Sequence, residues 1–240
     1  VITSPTNPLI KDLMKLYDKG ERRNRKQYLV EGYHLVGEAK TAEVLEMVLI
    51  TSEADYFAGV NNILVTKEII SKLAKTKTPQ GIMGVCRIKD NKEIKGSRYL
   101  LLDNINDPGN LGTIIRTALG FNIDGIIISP DSVDIYNEKV IRSTQGALFK
   151  IPIIEMDITE AINTLKQENI YIIGTALNNS ISLKSLDKIK KYAIVLGNES
   201  QGVSKEVLSH TDINVRIDIN ENLESLNGAI AGAILMFYLS

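Results

Sequence analysis

The residue with the most chemistry to offer is Arg116, set in the stretch DPGNLGTIIRTA at positions 107–118. The stretch follows an apolar run, Tyr99-Leu100-Leu101-Leu102, that reads as a buried strand. It breaks at Pro108-Gly109 and enters a helical pattern that is otherwise apolar, on Leu111, Ile114, Ile115, Ala118 and Leu119. An arginine in such company is costly to desolvate without a partner. It either reaches solvent along its aliphatic stem or serves a ligand. A strand, a glycine-rich turn and a helix form a common ligand-binding arrangement in α/β proteins. Two further loops repeat the plan: residues 197–204 (GNESQGVS) follow one apolar run, and residues 220–227 follow another. In an open parallel sheet such loops gather at the carboxyl ends of the strands, where ligands bind. Singly, each has a plain structural reading. Gly197 and Gly202 suit a turn, Glu199 suits a surface, and Ser225 or Asn227 suits the start of a helix.

The elements that must carry these residues alternate along the chain. Residues 1–18 read as a turn and then an amphipathic helix, with Leu9, Ile10, Leu13, Met14, Leu16 and Tyr17 at helical spacing. Gly20 is expected to end it, and a basic loop follows. Strands are expected at 27–31, 47–51, 62–66 and 81–88, with helices at 32–42 and 67–74, which fits a small α/β domain. A polar stretch at 90–97, containing Gly96, reads as a linker. Beyond it, strands at 99–102, 125–129, 151–154, 170–175, 192–196 and 214–217 alternate with helices at 137–146, 159–167 and 204–208. A long apolar helix is expected at 223–238. This half predicts a mainly parallel sheet covered on both faces. The expected division is a domain at 1–96 and a second at 97–240.

The composition, 44% hydrophobic and 24% charged over 240 residues, is that of a globular protein. No apolar run is long enough to span a bilayer and no signal peptide opens the chain, so a cytoplasmic protein is expected. Cys86 is the only cysteine, and the only histidines are His34 and His210, too few for a zinc cluster; no metal is expected. Net charge is −1, but it is unevenly spread. Residues 1–96 hold 16 basic against 12 acidic side chains, a surplus of 4, and the remainder 12 against 17. The surplus concentrates at Lys19, Arg22, Arg23, Arg25 and Lys26, a cluster that suits phosphates or a solvated loop equally.

Three ordered motifs are far more specific than any one. NINDPGNLGTIIRTA (104–118), IVLGNESQGVS (194–204) and Ile217-Asp218-Ile219 followed by Glu224-Ser225-Leu226-Asn227 together resemble the SpoU, or TrmH, family of RNA ribose 2'-O-methyltransferases of the SPOUT superfamily. Residues 135–149 (IYNEKVIRSTQGALF) are also similar to the family. The N-terminal part, on Asn7-Pro8-Leu9-Ile10-Lys11 and Tyr28-Leu29-Val30-Glu31-Gly32, resembles the ribosomal-protein-like RNA-binding extension of two-domain rRNA methyltransferase members. After Asn227 the family usually continues Val-Ser-Val, whereas Gly228-Ala229-Ile230 stands here.

The resemblance implies a C-terminal trefoil knot holding S-adenosylmethionine, and a homodimer formed through the knotted domain with the site completed across the interface. It implies methyl transfer to a ribose 2'-hydroxyl of RNA, rRNA before tRNA. Arg116 would be the central catalytic residue, stabilising the developing alkoxide or orienting the ribose, since a guanidinium is a poor base. Asn110, Ser225 and Asn227 would hydrogen-bond the arginine, the ribose or the cofactor, and Glu199 would hold Arg116 by opposite charge. Thr175, Ala176, Leu196, Gly197, Asn198, Gly202, Ile217, Ile219 and Leu226 would line the cofactor site. Arg22, Arg23, Arg25, Lys26 and Arg142 would meet RNA phosphates. The alternatives are a tRNA ribose methyltransferase and an RNA-binding protein that kept the fold and lost catalysis. The presence of all five catalytic-set residues favours an enzyme. A dinucleotide-dependent dehydrogenase would want a Gly-x-Gly-x-x-Gly turn, and the sequence has none.

Overall fold

The computed structural model describes every residue except Asn91, Lys92 and Ile94, so the linker expected at 90–97 lies partly outside the described residues. Contacts divide the chain into two compact units. One is Val1–Asp90 with Asp134–Phe149; the other is Asn91–Val133 with Lys150–Ser240. The elements up to residue 90 are α1 (Pro8–Met14), α2 (Lys19–Arg25), β1 (Gln27–Glu31), α3 (Tyr33–Thr41), β2 (Leu45–Ile50), β3 (Asn61–Leu64), α4 (Lys67–Leu73) and β4 (Ile82–Arg87). Then come β5 (Arg98–Asp103), α5 (Pro108–Gly120), β6 (Gly125–Ile128) and α6 (Glu138–Thr144), the last belonging to the first unit. The rest are β7 (Ile153–Glu155), α7 (Ile158–Gln167), β8 (Tyr171–Thr175), β9 (Ile181–Ser182), β10 (Tyr192–Gly197), α8 (Lys205–Ser209), β11 (Ile213–Arg216) and α9 (Gly228–Leu239).

The first unit is built on a mixed sheet of order β1-β4-β2-β3, with β4 antiparallel to both β1 and β2 and with β3 parallel to β2. Strand alternation deals its apolar side chains to two faces. Leu29, Leu49, Met83 and Val85 meet Ile10 and Leu13 of α1 and Ile69, Ile70 and Leu73 of α4. Tyr28, Val30, Val48, Ile50, Ile82 and Cys86 face the other way, onto Leu35, Val36 and Ala39 of α3 and onto Tyr136, Ile141, Leu148 and Phe149. Burial pushes the Cys86 thiol well above its ordinary range, so the lone cysteine is a core side chain.

The stretch expected as a basic loop is helix α2. Asp18 caps it by accepting from the Glu21 amide at 3.0 Å, and Lys26 closes it in the left-handed conformation, φ 54°. Gly20 lies inside this helix, and α1 ends instead in a single 3-10 turn at Lys15–Tyr17. Arg22, on α2, is only 4% exposed. Its Nε and Nη2 donate to Asp134 Oδ2 at 2.8 and 2.5 Å, and its Nη1 donates to the carbonyls of Leu16 and Tyr17 at 2.9 and 2.8 Å.

Residues 134–149 thus complete the core of the first unit, although they fall in the second half of the sequence. A fragment 97–240 would carry Tyr136, Ile141, Leu148 and Phe149 without the strands they cover. It is expected to bind a hydrophobic dye and to melt less cooperatively than the full chain. A dye-free, cooperative melt of that fragment would contradict the division described here.

The second unit is an all-parallel sheet of order β7-β6-β5-β10-β8-β11-β9. Its central strands are buried on both faces and are correspondingly apolar throughout, as in Leu100, Leu101 and Leu102 or Ile194 and Val195. Tyr99, Leu101, Ile127, Ala193 and Val195 meet Ile158, Ala161, Ile162 and Leu165 of α7. On the opposite face α9 packs against β10 at Gly232, where a Cβ would stand 2.7 Å from Leu196 Cδ1, and α5 packs on α9. The last helix begins at Gly228 rather than at 223. Asn227 caps it, accepting from the amides of Ala229 and Ile230 at 2.9 and 3.3 Å. The short edge strand β9 was not legible as a strand in the sequence.

Candidate active site

The three loops singled out in the sequence leave β5, β10 and β11 of the one parallel sheet. Gly197 at the end of β10 pairs with Asp103 at the end of β5, and β11 lies two strands away. The middle loop is folded back on itself. A Cβ on Gly197 would stand 2.1 Å from Val203 N and 2.2 Å from Gly202 C, so only glycine permits this approach. Asn198 then locks the turn: its Oδ1 accepts from the amides of Ser200 and Gln201 at 2.9 and 3.1 Å. Its Nδ2 donates to the Asn104 carbonyl of the first loop at 2.9 Å.

Glu199, presented by that turn, reaches the start of α5. Its carboxylate accepts from the Asn106 amide at 3.3 Å, from the Asp107 amide at 3.1 Å and from Asn110 Nδ2 at 3.3 Å. Asp107 caps α5 through the Asn110 amide at 2.7 Å. Asn110 Oδ1 in turn accepts from Asn227 Nδ2, the cap of α9, at 2.9 Å. Glu199, Asn110 and Asn227, one from each loop, therefore form a single hydrogen-bonded relay.

Arg116 stands apart from the relay. It is exposed on α5, and among the described residues it has no hydrogen-bond or ion-pair partner. The pairing expected between Glu199 and Arg116 does not form within one chain. Six residues along a helix turn a side chain about 120° from Asn110 and about 9 Å up the axis, and the Glu199 oxygens are already engaged.

A cleft of about 890 Å³ opens beside the relay, within the second unit. All nine residues expected around a cofactor, Thr175, Ala176, Leu196, Gly197, Asn198, Gly202, Ile217, Ile219 and Leu226, line it, as do Glu199 and Ser225. Asn110, Arg116 and Asn227 do not line it. The walls fit S-adenosylmethionine. Leu196, Ile217, Ile219 and Leu226 offer apolar faces for a flat ring. The close backbone approach at Gly197 clears room, and Lys205, Arg216 and Glu224 supply both signs of charge for a zwitterionic tail. The volume lies in the range of small-ligand pockets. Reading the sequence missed Leu177, Asn178 and Asn179, which also line the cleft. Their signal was their place directly after β8, as the other loops follow β5, β10 and β11.

In the first unit Arg22 is a correction: buried against Asp134, it is not available to RNA phosphates. Arg25 pairs with Asp12 at 3.0 Å and Lys26 with Asp90 at 2.9 Å, both partly or well exposed. Arg23 is exposed on the same helix, and Arg142 is half-buried on α6. Exposed pairs of this kind are weak and exchange readily for another anion.

An all-parallel sheet with a cofactor-sized cleft at the carboxyl ends of its strands defines an α/β enzyme domain. The chain belongs to the SpoU rRNA methylase family, whose model matches residues 97–237. A model of the MRM3-like substrate binding domain matches residues 7–84. The 23S rRNA (guanosine(2553)-2'-O)-methyltransferase RlmP of Bacillus subtilis (strain 168) is 35% identical over 243 residues, covering 99% of this chain and 98% of that protein. The crystal structure of an rRNA methyltransferase from Sinorhizobium meliloti, 29% identical, superposes with a TM-score of 0.90 over 99% of this chain and 96% of that one. Its AdoMet-bound crystal structure gives 0.89 over the same shares.

Proposed function

We propose that this chain transfers a methyl group from S-adenosylmethionine to a ribose 2'-hydroxyl of ribosomal RNA, in the cytoplasm. The observation that carries the reading is the relay of Glu199, Asn110 and Asn227 at the edge of the cofactor-sized cleft. S-adenosylmethionine supplies an already activated methyl group, so the protein's task is alignment and help with the departing proton. The nine cleft residues hold the donor. Glu199 fixes the first turn of α5, and Asn110 and Asn227 present amide groups to the ribose. Ser225, exposed at the cleft, is free to hydrogen-bond either reactant. Arg116 would stabilise the developing alkoxide while the 2'-hydroxyl proton passes to water, as the O–CH3 bond forms, the S–CH3 bond breaks and S-adenosylhomocysteine is released.

The reading includes a homodimer that delivers Arg116 across an interface. Helix α9 is apolar all round, a pattern that calls for burial on every side. Yet Ile230 and Phe237, two turns apart on one face, are 52% and 70% exposed. Phe237 meets Phe121, just beyond α5, with ring centroids 6.1 Å apart, so the exposed stripe continues onto the helix that carries Arg116. Family membership also implies the trefoil knot. The first unit, residues 1–90 with 134–149, binds the RNA, with Arg23, Arg25, Lys26 and Arg142 at its phosphates.

The test is transfer of labelled methyl from S-adenosylmethionine to unmodified 23S rRNA, 16S rRNA and tRNA, with the label mapped to ribose or base. Ribose label on 23S rRNA alone is expected. Label on tRNA alone would select the tRNA alternative, and no label on any RNA despite cofactor binding would select the inactive binder.

A further inference from the structure

We infer that Ser129 and Ser132 are positioning residues for methyl transfer: their paired, buried hydroxyls hold the loop that presents Asn110. The inference rests on the methyl-transfer reading above. The buried polar side chains are Arg22, Ser129, Ser132 and Thr144 among the described residues. Arg22 serves the first unit, and the Thr144 hydroxyl returns to the Ile141 carbonyl of its own helix. The two serines do neither. They sit just past β6, with their hydroxyl oxygens 3.0 Å apart. Ser129 Oγ accepts from the Asn104 amide at 2.8 Å, and Ser132 Oγ accepts from the Ile105 amide at 3.0 Å.

The next two amides, of Asn106 and Asp107, go to Glu199. Four consecutive backbone donors, 104 to 107, thus end on side-chain oxygens and none on a strand or helix. The loop's own amides join no ladder, and its path is set by these acceptors together with the donors on its carbonyls, Asn198 Nδ2 to Asn104 O and Val133 N to Ile105 O, each at 2.9 Å. Asn104 also turns the chain through the left-handed region, φ 57°, which asparagine adopts more readily than other non-glycine residues. Directly after this loop, Asp107 caps α5, and Asn110 meets Asn227. Removing either serine hydroxyl leaves an amide at the root of the loop without its acceptor. The loop then shifts to find another, and the displacement reaches Asn110.

The experiment compares wild type, Ser129→Ala, Ser132→Ala, Asn110→Ala and the two Ser/Asn110 double variants. It measures ribose methylation of rRNA, S-adenosylmethionine binding by calorimetry, and thermal melting. Each serine variant should melt as a folded protein and lose about 10- to 100-fold in kcat, the effect of a small misplacement. KM for RNA and the cofactor Kd should stay within about threefold of wild type. The losses should not multiply, so that each double variant is within about twofold of Asn110→Ala alone. Unchanged kcat in both single variants, or losses that multiply with Asn110→Ala, would overturn the inference. Should an alanine variant fail to fold, Ser→Cys at the same position, similar in shape but a weak acceptor, carries the test. Failure of that variant to fold too would make the hydroxyl a folding element and reject the positioning role. Wild type without methyl transfer would instead refute the methyl-transfer reading itself.

Discussion

Arg116→Ala is expected to lower kcat for ribose methylation by about 10²- to 10³-fold, the cost of losing one donor aimed at a developing oxyanion. S-adenosylmethionine should still bind within about threefold of wild type, because Arg116 does not line the cleft. Kinetics and calorimetry on the same preparation separate the two quantities. Loss of cofactor binding along with turnover would remove Arg116 from the role given to it. The same residue tests the dimer. Arg116→Ala and Asn227→Ala proteins, each inactive alone, are mixed after mild unfolding and refolding. If Arg116 of one chain serves the Asn227 of the other, half the dimers are mixed and each holds one intact site, so activity returns to about a quarter of wild type. No recovery would place both residues in the same chain's site.

Arg22→Ala should produce the largest loss of stability of any single arginine change, about 3–5 kcal/mol, as when one partner of a buried ion pair is removed. Arg22 fills its surroundings with four hydrogen bonds, two to Asp134 Oδ2 and two to backbone carbonyls. Without it the Asp134 carboxylate, only 14% exposed, is left buried without its partner. Urea unfolding of wild type and variant checks this through the shift in midpoint at constant slope. A shift worth less than about 1 kcal/mol would mean that the pair does not anchor residues 134–149 to the first unit. The outcome also bears on the RNA reading, since a basic residue that stabilises the fold is easily mistaken for one that binds phosphate.

The contrast between Arg22 and Arg23 illustrates how far the sequence reached. Both are basic, adjacent and on one short helix, and nothing in their types distinguishes a buried anchor from an exposed cation. The distinction comes from Asp134, more than a hundred residues away. The helix itself was expected as a loop, with Gly20 ending the helix before it; the Asp18 cap that starts it is seen only in the structure. The start of the last helix was placed too early. Leu223 and Leu226 look helical by spacing, and of the two helix starts the sequence offered, Ser225 and Asn227, the structure selects Asn227, whose side chain accepts from the amides of Ala229 and Ile230.

What the sequence determined by itself is local and periodic. Period-2 and near-3.6 patterns located almost every strand and helix, because burial on one or both faces writes itself into side-chain type. The apolar runs at 99–102 and 192–196 declared a parallel sheet, and loops following such strands pointed to one end of it. The nine residues that the resemblance assigned to a cofactor all line one cleft. What only the tertiary structure decided depends on strand order and on contacts distant in sequence. Because β10 lies between β5 and β8, Glu199 falls on the amides of residues 106 and 107 and not beside Arg116. Because β6 ends beside that loop, Ser129 and Ser132 become its acceptors. A hydrogen bond needs its partners within about 3 Å and leaves no trace in the composition of either segment, so which polar residues met could be learned only from the folded chain.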